Sequence, residues 1–154
     1  MRTTEPLSPR TLRGRQRPVP HLGVPVTLEM DVPFYDVDGL GVVWHGNYLK
    51  YFDVCRTALL RAHNLEVAGL CALNYRMMVI EAHCRYIYPL RYADRFSVTG
   101  YFTEIQNRIR IGFLAWNLTH DRRTAKAHTT LVTLDGDGTM LWETPKSIRD
   151  RILA

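Results

Sequence analysis

Residues 35–60 read YDVDGLGVVWHGNYLKYFDVCRTALL, and this stretch decides how the chain folds. Two acids two apart, Asp36 and Asp38, open it. Gly39-Leu40-Gly41 forms a turn, Val42-Val43-Trp44 is apolar, and His45-Gly46-Asn47 leads into a segment of different period. Tyr48, Tyr51, Phe52, Cys55, Leu59 and Ala62 recur at three- and four-residue steps, with Lys50, Asp53, Arg56 and Arg61 elsewhere. That period predicts one helix of about four turns over 48–62, with Asn47 as N-cap and His63-Asn64 as its end. A carboxylate just before a helix start can be aimed at an electrophile whose oxygen faces the free N–H groups of the helix. The arrangement suits chemistry on a thioester or another activated carbonyl.

Upstream, residues 24–34 read VPVTLEMDVPF. Val24, Val26, Leu28, Met30, Val32 and Phe34 alternate with Pro, Thr, Glu, Asp and Pro, which is the period of a strand with one buried face. Pro25 and Pro33 cannot donate to a ladder and predict an edge position or unpaired ends. Downstream, 64–76 reads as irregular. Strands are expected near 77–88, 94–106, 109–119 and 124–135, with a short one near 139–143, punctuated by turn residues such as Gln106-Asn107 and Asp135-Gly136-Asp137-Gly138. Thr144-Pro145 predicts a short terminal helix with Thr as cap and Pro at its first position. One strand, one helix and then four or five strands make an α+β domain, an antiparallel β-sheet wrapped around one long central helix. A lone sheet of this size leaves an edge and a face to cover, so at least a dimer is expected.

The chain has 154 residues, 46% of them hydrophobic, enough for one domain with a proper core. Its net charge of +5 is unevenly spread. Residues 1–21 carry Arg2, Arg10, Arg13, Arg15 and Arg17 against Glu5 and so contribute +4, while the remainder is near neutral at +1. The basic character therefore belongs to a Pro/Arg-rich tail, expected to be disordered over 1–21, ahead of a domain over 22–154. This distribution argues against a folded nucleic-acid surface. The tail lacks the apolar segment of a secretory signal, and no apolar run is long enough to span a membrane. Cys55, Cys71 and Cys84 are odd in number and widely spaced, which fits neither a disulfide framework nor a zinc knuckle and points to a reduced, cytoplasmic setting. The six histidines make no paired-ligand pattern, so no metal is expected.

The same central stretch resembles the signature of hotdog-fold acyl-CoA thioesterases of the 4-hydroxybenzoyl-CoA thioesterase and YbgC type, roughly D-x-D-x-x-G-x-V-x-x-x-x-Y followed by helix and Arg. Asp36, Asp38, Gly41, Val43, Tyr48 and Arg56 fill it, and His45 matches the histidine common in the YbgC branch. Pro89-Leu90 with Asp94, and Thr144-Pro145-Lys146-Ser147-Ile148, look like later family segments, so the resemblance covers about residues 24–150. It implies hydrolysis of an acyl-CoA thioester to free acid and CoA without a cofactor, by a homodimer or homotetramer with active sites across the subunit interface. It also implies that Asp38 is the catalytic carboxylate and that the backbone N–H of His45 polarises the thioester carbonyl.

Asp38 can serve either as nucleophile or as general base for water. Asp36 reads as structural, a loop cap or a negative neighbour. The imidazole of His45 can hold water or protonate the leaving thiolate, or simply mark a helix start. Tyr51 and Phe52 read as core, Tyr48 as core with a chance to line an acyl pocket, and Arg56 as half of a buried or interface ion pair. CoA phosphates need cations. Arg108 and Arg110 are the candidates chosen, with Arg85, Arg91, Arg122, Arg123 and Lys126 as others. Three other functions stay open: a thioesterase for acyl groups on an acidic acyl carrier protein, met by the arginine-rich tail; a non-catalytic acyl-CoA binder; and a nucleic-acid binder, which the near-neutral domain disfavours.

Overall fold

The computed structural model describes residues 20–154. The expected tail over 1–21 lies outside the described residues except for Pro20 and His21. Among the described residues five strands form one antiparallel sheet: β1 (Leu22–Asp31), β2 (Arg76–Tyr86), β3 (Arg95–Glu104), β4 (Ile109–Asn117) and β5 (Arg122–Leu134). Three α-helices among them accompany it, α1 (Asn47–Ala62), α2 (Val67–Ala72) and α3 (Lys146–Leu153). The strand order is β1-β3-β4-β5-β2. β3, β4 and β5 follow one another in sequence as hairpins, and β1 and β2 form the two edges. The prolines of the first strand indicated its edge position.

Alternation sets the two faces of the sheet. On β4, Ile109, Ile111, Phe113 and Ala115 are buried on one face, opposite Leu131, Thr129, Ala127 and Ala125 of β5. α1 covers this face over β1 and β3. It buries Tyr48, Tyr51, Phe52, Cys55 and Leu59 of the predicted stripe and Leu60 beside them, while Ala62, the last residue of that stripe, is exposed. Phe52 stacks on Phe113 at 5.2 Å and Tyr51 meets Phe96 at 4.9 Å. Burying a side chain such as Phe52 contributes about 1.5–3 kcal/mol. The Cys55 thiol lies under the helix, donating to the Val98 carbonyl at 3.5 Å, and burial pushes its pKa up to about 12. α3 closes one end of the core with Ile148 and Ile152. Among the described residues no helix is long and apolar enough to cross a membrane.

Several expectations need correction. The stretch 64–76, expected to be irregular, contains α2. The short strand near 139–143 reduces to a bridge between Leu134 and Met140 and a Leu141 N–H donated to Thr133 O at 2.9 Å. Asn47 is the first helical residue, not the cap, and Gly46 takes the cap position. Pro145, not Thr144, flanks α3, because its ψ of 142° is still extended. Within the chain Arg56 does not make the buried pair: it reaches Asp53 one turn back on its own helix, where Asp53 is mostly exposed.

Candidate active site

The segment before α1 forms a tight hairpin. Val37 bridges Val43, Asp38 N–H donates to Val42 O at 2.9 Å, and Gly41 N–H donates to Asp38 O at 3.0 Å. The turn needs Gly41, whose φ of +79° is costly for a residue with a Cβ. The hairpin is docked on the connection before β3 through Val43 N–H to Leu90 O at 2.8 Å. That connection is held in turn by Asp94, only 5% exposed, whose Oδ2 accepts Arg91 N–H and Asn117 Nδ2, each at 2.9 Å. The match of Pro89, Leu90 and Asp94 to a family segment therefore has a structural reason.

The two acids of the hairpin have opposite surroundings. Asp36 is 3% exposed and both carboxylate oxygens are occupied: Oδ1 by Lys50 Nζ at 2.6 Å and Oδ2 by Tyr51 Oη at 2.5 Å. Its carbonyl accepts Trp44 N–H and Asn47 Nδ2, each at 3.0 Å. Asp36 thus ties the hairpin to the first turns of α1, in line with its structural reading. Burial first, and then the hydrogen bond to this carboxylate, hold the Tyr51 phenol far above the ordinary tyrosine range. Asp38 is only partly buried. Its Oδ1 accepts Leu40 N–H at 2.8 Å in an Asx turn, and its other oxygen takes no hydrogen bond from the described residues. One oxygen is oriented and the other is open.

The helix start lies at the other end of the hairpin. Asn47 N–H turns back to Trp44 O at 2.9 Å and Tyr48 N–H to His45 O at 3.4 Å, while the N–H groups of His45 and Gly46 meet no acceptor among the described residues. Such donors, with the positive end of the helix dipole behind them, suit a developing oxyanion. Gly46 leaves room for Trp44, since a Cβ there would fall 2.2 Å from the indole ring. Tyr86, which the sequence reading missed, donates its hydroxyl to His45 O at 2.8 Å and so fixes the peptide next to these donors. The parity of β2 places Tyr86 on the helix side with Cys84 and Ala82, and that parity was the available signal. Burial pushes the Tyr86 phenol up to about 12.

Of the remaining predicted residues, Tyr48 lies beside this site, whereas Arg108 and Arg110 are not brought to it. Tyr48 is 3% exposed, its hydroxyl accepts Leu90 N–H at 3.2 Å, and its ring meets Tyr86 edge-on at 5.0 Å. Burial raises its pKa. Arg108 is exposed and paired with Glu104 at 3.2 Å. Arg110 sits on the sheet face turned away from α1. Tyr86 aligns through Ala125 with Ala115, so Arg110 lies five residues further along β4, about 17 Å at ~3.3 Å per residue.

The comparisons bear on the family and the fold. The family model of the Thioesterase superfamily matches residues 40–109. A candidate esterase of Aquifex aeolicus is 30% identical over 106 residues, covering 69% of this chain and 82% of that protein. The acyl-CoA thioester hydrolase YbgC of Escherichia coli is 26% identical over 101 residues, 66% of this chain and 69% of its own. Among solved structures, a 4-hydroxybenzoyl-CoA thioesterase variant in complex with 4-hydroxybenzoyl-CoA superposes with a TM-score of 0.73 at 14% identity, covering 83% of this chain and 98% of that one. The relative from Aquifex carries the assignment by sequence and the superposition carries the fold: the chain belongs to the thioesterase superfamily of hotdog-fold enzymes.

Proposed function

We propose that the protein hydrolyses acyl-CoA thioesters, with Asp38 as the reacting carboxylate and the N–H of His45 as the oxyanion donor. The observation that carries this reading is the open Asp38 oxygen on the same short hairpin as the unpaired N–H groups at the start of α1. The thioester carbonyl oxygen would face those donors. Asp38 would then either attack the carbonyl carbon, expelling CoA thiolate and leaving a mixed anhydride for water to cleave, or take a proton from a water that attacks directly. Both routes consume one water and yield acid plus CoA thiol. The His45 ring, exposed beside Trp44, is proposed to hold water or to protonate the thiolate. Tyr48 is proposed to shape the acyl pocket from behind, through Tyr86 and Leu90. Arg110 is kept as a phosphate ligand; Arg108, with Glu104 already on it, is a weaker one. The YbgC name supports the CoA ester as substrate.

A second copy is part of the proposal. Among the described residues β2 pairs only with β5, and Met78, Val79 and Ile80 along it are 49%, 38% and 52% exposed. A bare apolar edge of this kind seeks another strand. We assign it to a copy of the same chain in a homodimer or a homotetramer, working in the cytoplasm.

Thiol release from short, long and aromatic acyl-CoAs by wild type and by Asp38→Asn tests the function. The expected result is turnover that falls about a hundredfold or more in the variant. Equal rates for the two proteins would remove Asp38 from the chemistry.

A further inference from the structure

Both ends of the segment that carries Asp36 and Asp38 are tied to Asp94. At the start, Val32 N–H donates to Asp94 O at 2.9 Å, and Ala93 N–H returns to Val32 O at 3.2 Å. At the end, Val43 N–H meets Leu90 O at 2.8 Å and Val42 bridges Arg91. Asp94 holds Arg91 twice: Oδ2 accepts the Arg91 N–H at 2.9 Å, and Asp94 N–H donates to the Arg91 carbonyl at 3.1 Å. Residues 32 to 43 therefore make a loop whose two feet stand on one residue. Asp38 is a single hydrogen bond from the second foot, through its N–H to Val42 O at 2.9 Å.

A carboxylate buried to 5% exposure is costly to the fold unless its partners compensate. Among the described residues no lysine or arginine side chain pairs with Asp94; the one basic group in range is His120, with Nε2 at 3.4 Å from Oδ1. Oδ2 takes, besides the Arg91 N–H, a bond from Asn117 Nδ2 at 2.9 Å. Asn117 is fully buried on β4, and its Oδ1 accepts His120 N–H at 3.0 Å, which fixes the amide. Hydrogen bonds to an ionised acceptor are shorter and stronger than neutral ones. A continuous line of bonds thus runs from β4 through Asn117, Asp94 and Arg91 to the hairpin. The side chain of Asp38 is oriented only by Leu40 N–H, within the hairpin itself, so the hairpin's footing decides where the open oxygen lies. Misplacing a reacting group by about 1 Å can cost on the order of a hundredfold in rate.

We propose that Asp94 is a positioning residue for the reaction at Asp38: without touching substrate, it sets kcat by clamping both ends of the loop 32–43. The proposal rests on Asp38 as the reacting carboxylate.

The test is acyl-CoA turnover by Asp94→Ala, Asp94→Asn and Asn117→Ala, and by Asp94→Ala and Asn117→Ala each combined with Asp38→Asn. Circular dichroism confirms the fold of every variant. In Asp94→Ala, kcat is expected to fall about ten- to a hundredfold, while KM stays within about twofold because only alignment in the transition state is lost. Asp94→Asn recovers most of kcat, since its amide oxygen can accept both bonds made at Oδ2. Asn117→Ala, which leaves the Arg91 bond in place, gives a smaller loss of kcat, again at constant KM. In the Asp38→Asn background, either alanine substitution changes the residual rate by less than about twofold, because the clamp then has no reacting carboxylate to place. If Asp94→Ala does not fold, Asn117→Ala takes its place in each comparison. A wild-type kcat in the folded variant would overturn the clamp, as would a loss confined to KM or full additivity with Asp38→Asn. Failure of the functional reading looks different: wild-type turnover by Asp38→Asn removes the reacting carboxylate, and the clamp's role with it, whatever the Asp94 variants do.

Discussion

Asp36 and Asp38 lie two residues apart on one hairpin, yet they illustrate opposite uses of a carboxylate. Asp36 is buried, and each oxygen of its carboxylate has a side-chain donor, Lys50 on one and Tyr51 on the other. Asp38 is tied by one backbone N–H and keeps an oxygen free. A saturated carboxylate has nothing left to offer a substrate, and an unsaturated one adds little to the fold. The comparison teaches that partner count, more than proximity to a helix, separates the anchor from the reagent.

Exchanging Asp38 for Asn should show the largest effect: kcat/KM for an acyl-CoA falls about a hundredfold or more, while the unfolding free energy from urea titration stays within about 0.5 kcal/mol of wild type. A comparable loss of stability would break the contrast. Asp36→Ala should do the reverse, destabilising the chain by about 2–3 kcal/mol, because the buried Tyr51 hydroxyl loses its acceptor and Lys50 its partner. Equilibrium unfolding in urea reads it. Tyr51→Phe, which removes one of those bonds and leaves no orphaned donor, should cost about 1 kcal/mol. Equal costs for Asp36→Ala and Tyr51→Phe would mean that Lys50 contributes nothing.

The smallest effect concerns the open side of the hairpin. Tyr86 holds the His45 carbonyl, and its pKa is pushed from 10.0 to about 12. A raised folded-state value means that the stabilisation is fully present below the unfolded value and is lost as pH rises toward about 12. Tyr86→Phe should therefore flatten the loss of stability across that window, followed by unfolding at pH 9 to 12, and lower turnover by less than about tenfold. An unchanged alkaline profile would mean that the Tyr86 phenol titrates alike in the folded and the unfolded chain.

Much of this was legible in the chain. The alternation of residues 24–34 and the three- and four-residue steps after Tyr48 depend on local period alone; α1 formed where the period placed it, whereas β1 begins two residues earlier and ends at Asp31, leaving Val24 and Phe34 exposed. The acidic pair was visible too, with Asp36 already read as structural. Which groups saturate it was not, because Lys50 and Tyr51 reach Asp36 only once α1 has folded back beside the hairpin. α2 escaped because it spans less than two turns and contains Gly69, a weak helix former. Arg85 and Lys126 lie far apart in sequence and face each other only through the register of β2 on β5. Arg108 and Arg110 looked equivalent in sequence; Glu104 separates them.

The strand order also governs when the site comes into being. β3, β4 and β5 are successive and joined by short turns, so they can zip together at small entropic cost. β1 and β2 must each close a long loop to reach opposite flanks of that meander, and the whole Asp36–Asp38 hairpin with α1 is strung between them in sequence. The reactive carboxylate and its oxyanion donors therefore assemble only when both late closures are complete. A partly folded chain, however much sheet it has formed, has no competent centre, and recovery of activity during refolding should lag behind recovery of β-structure.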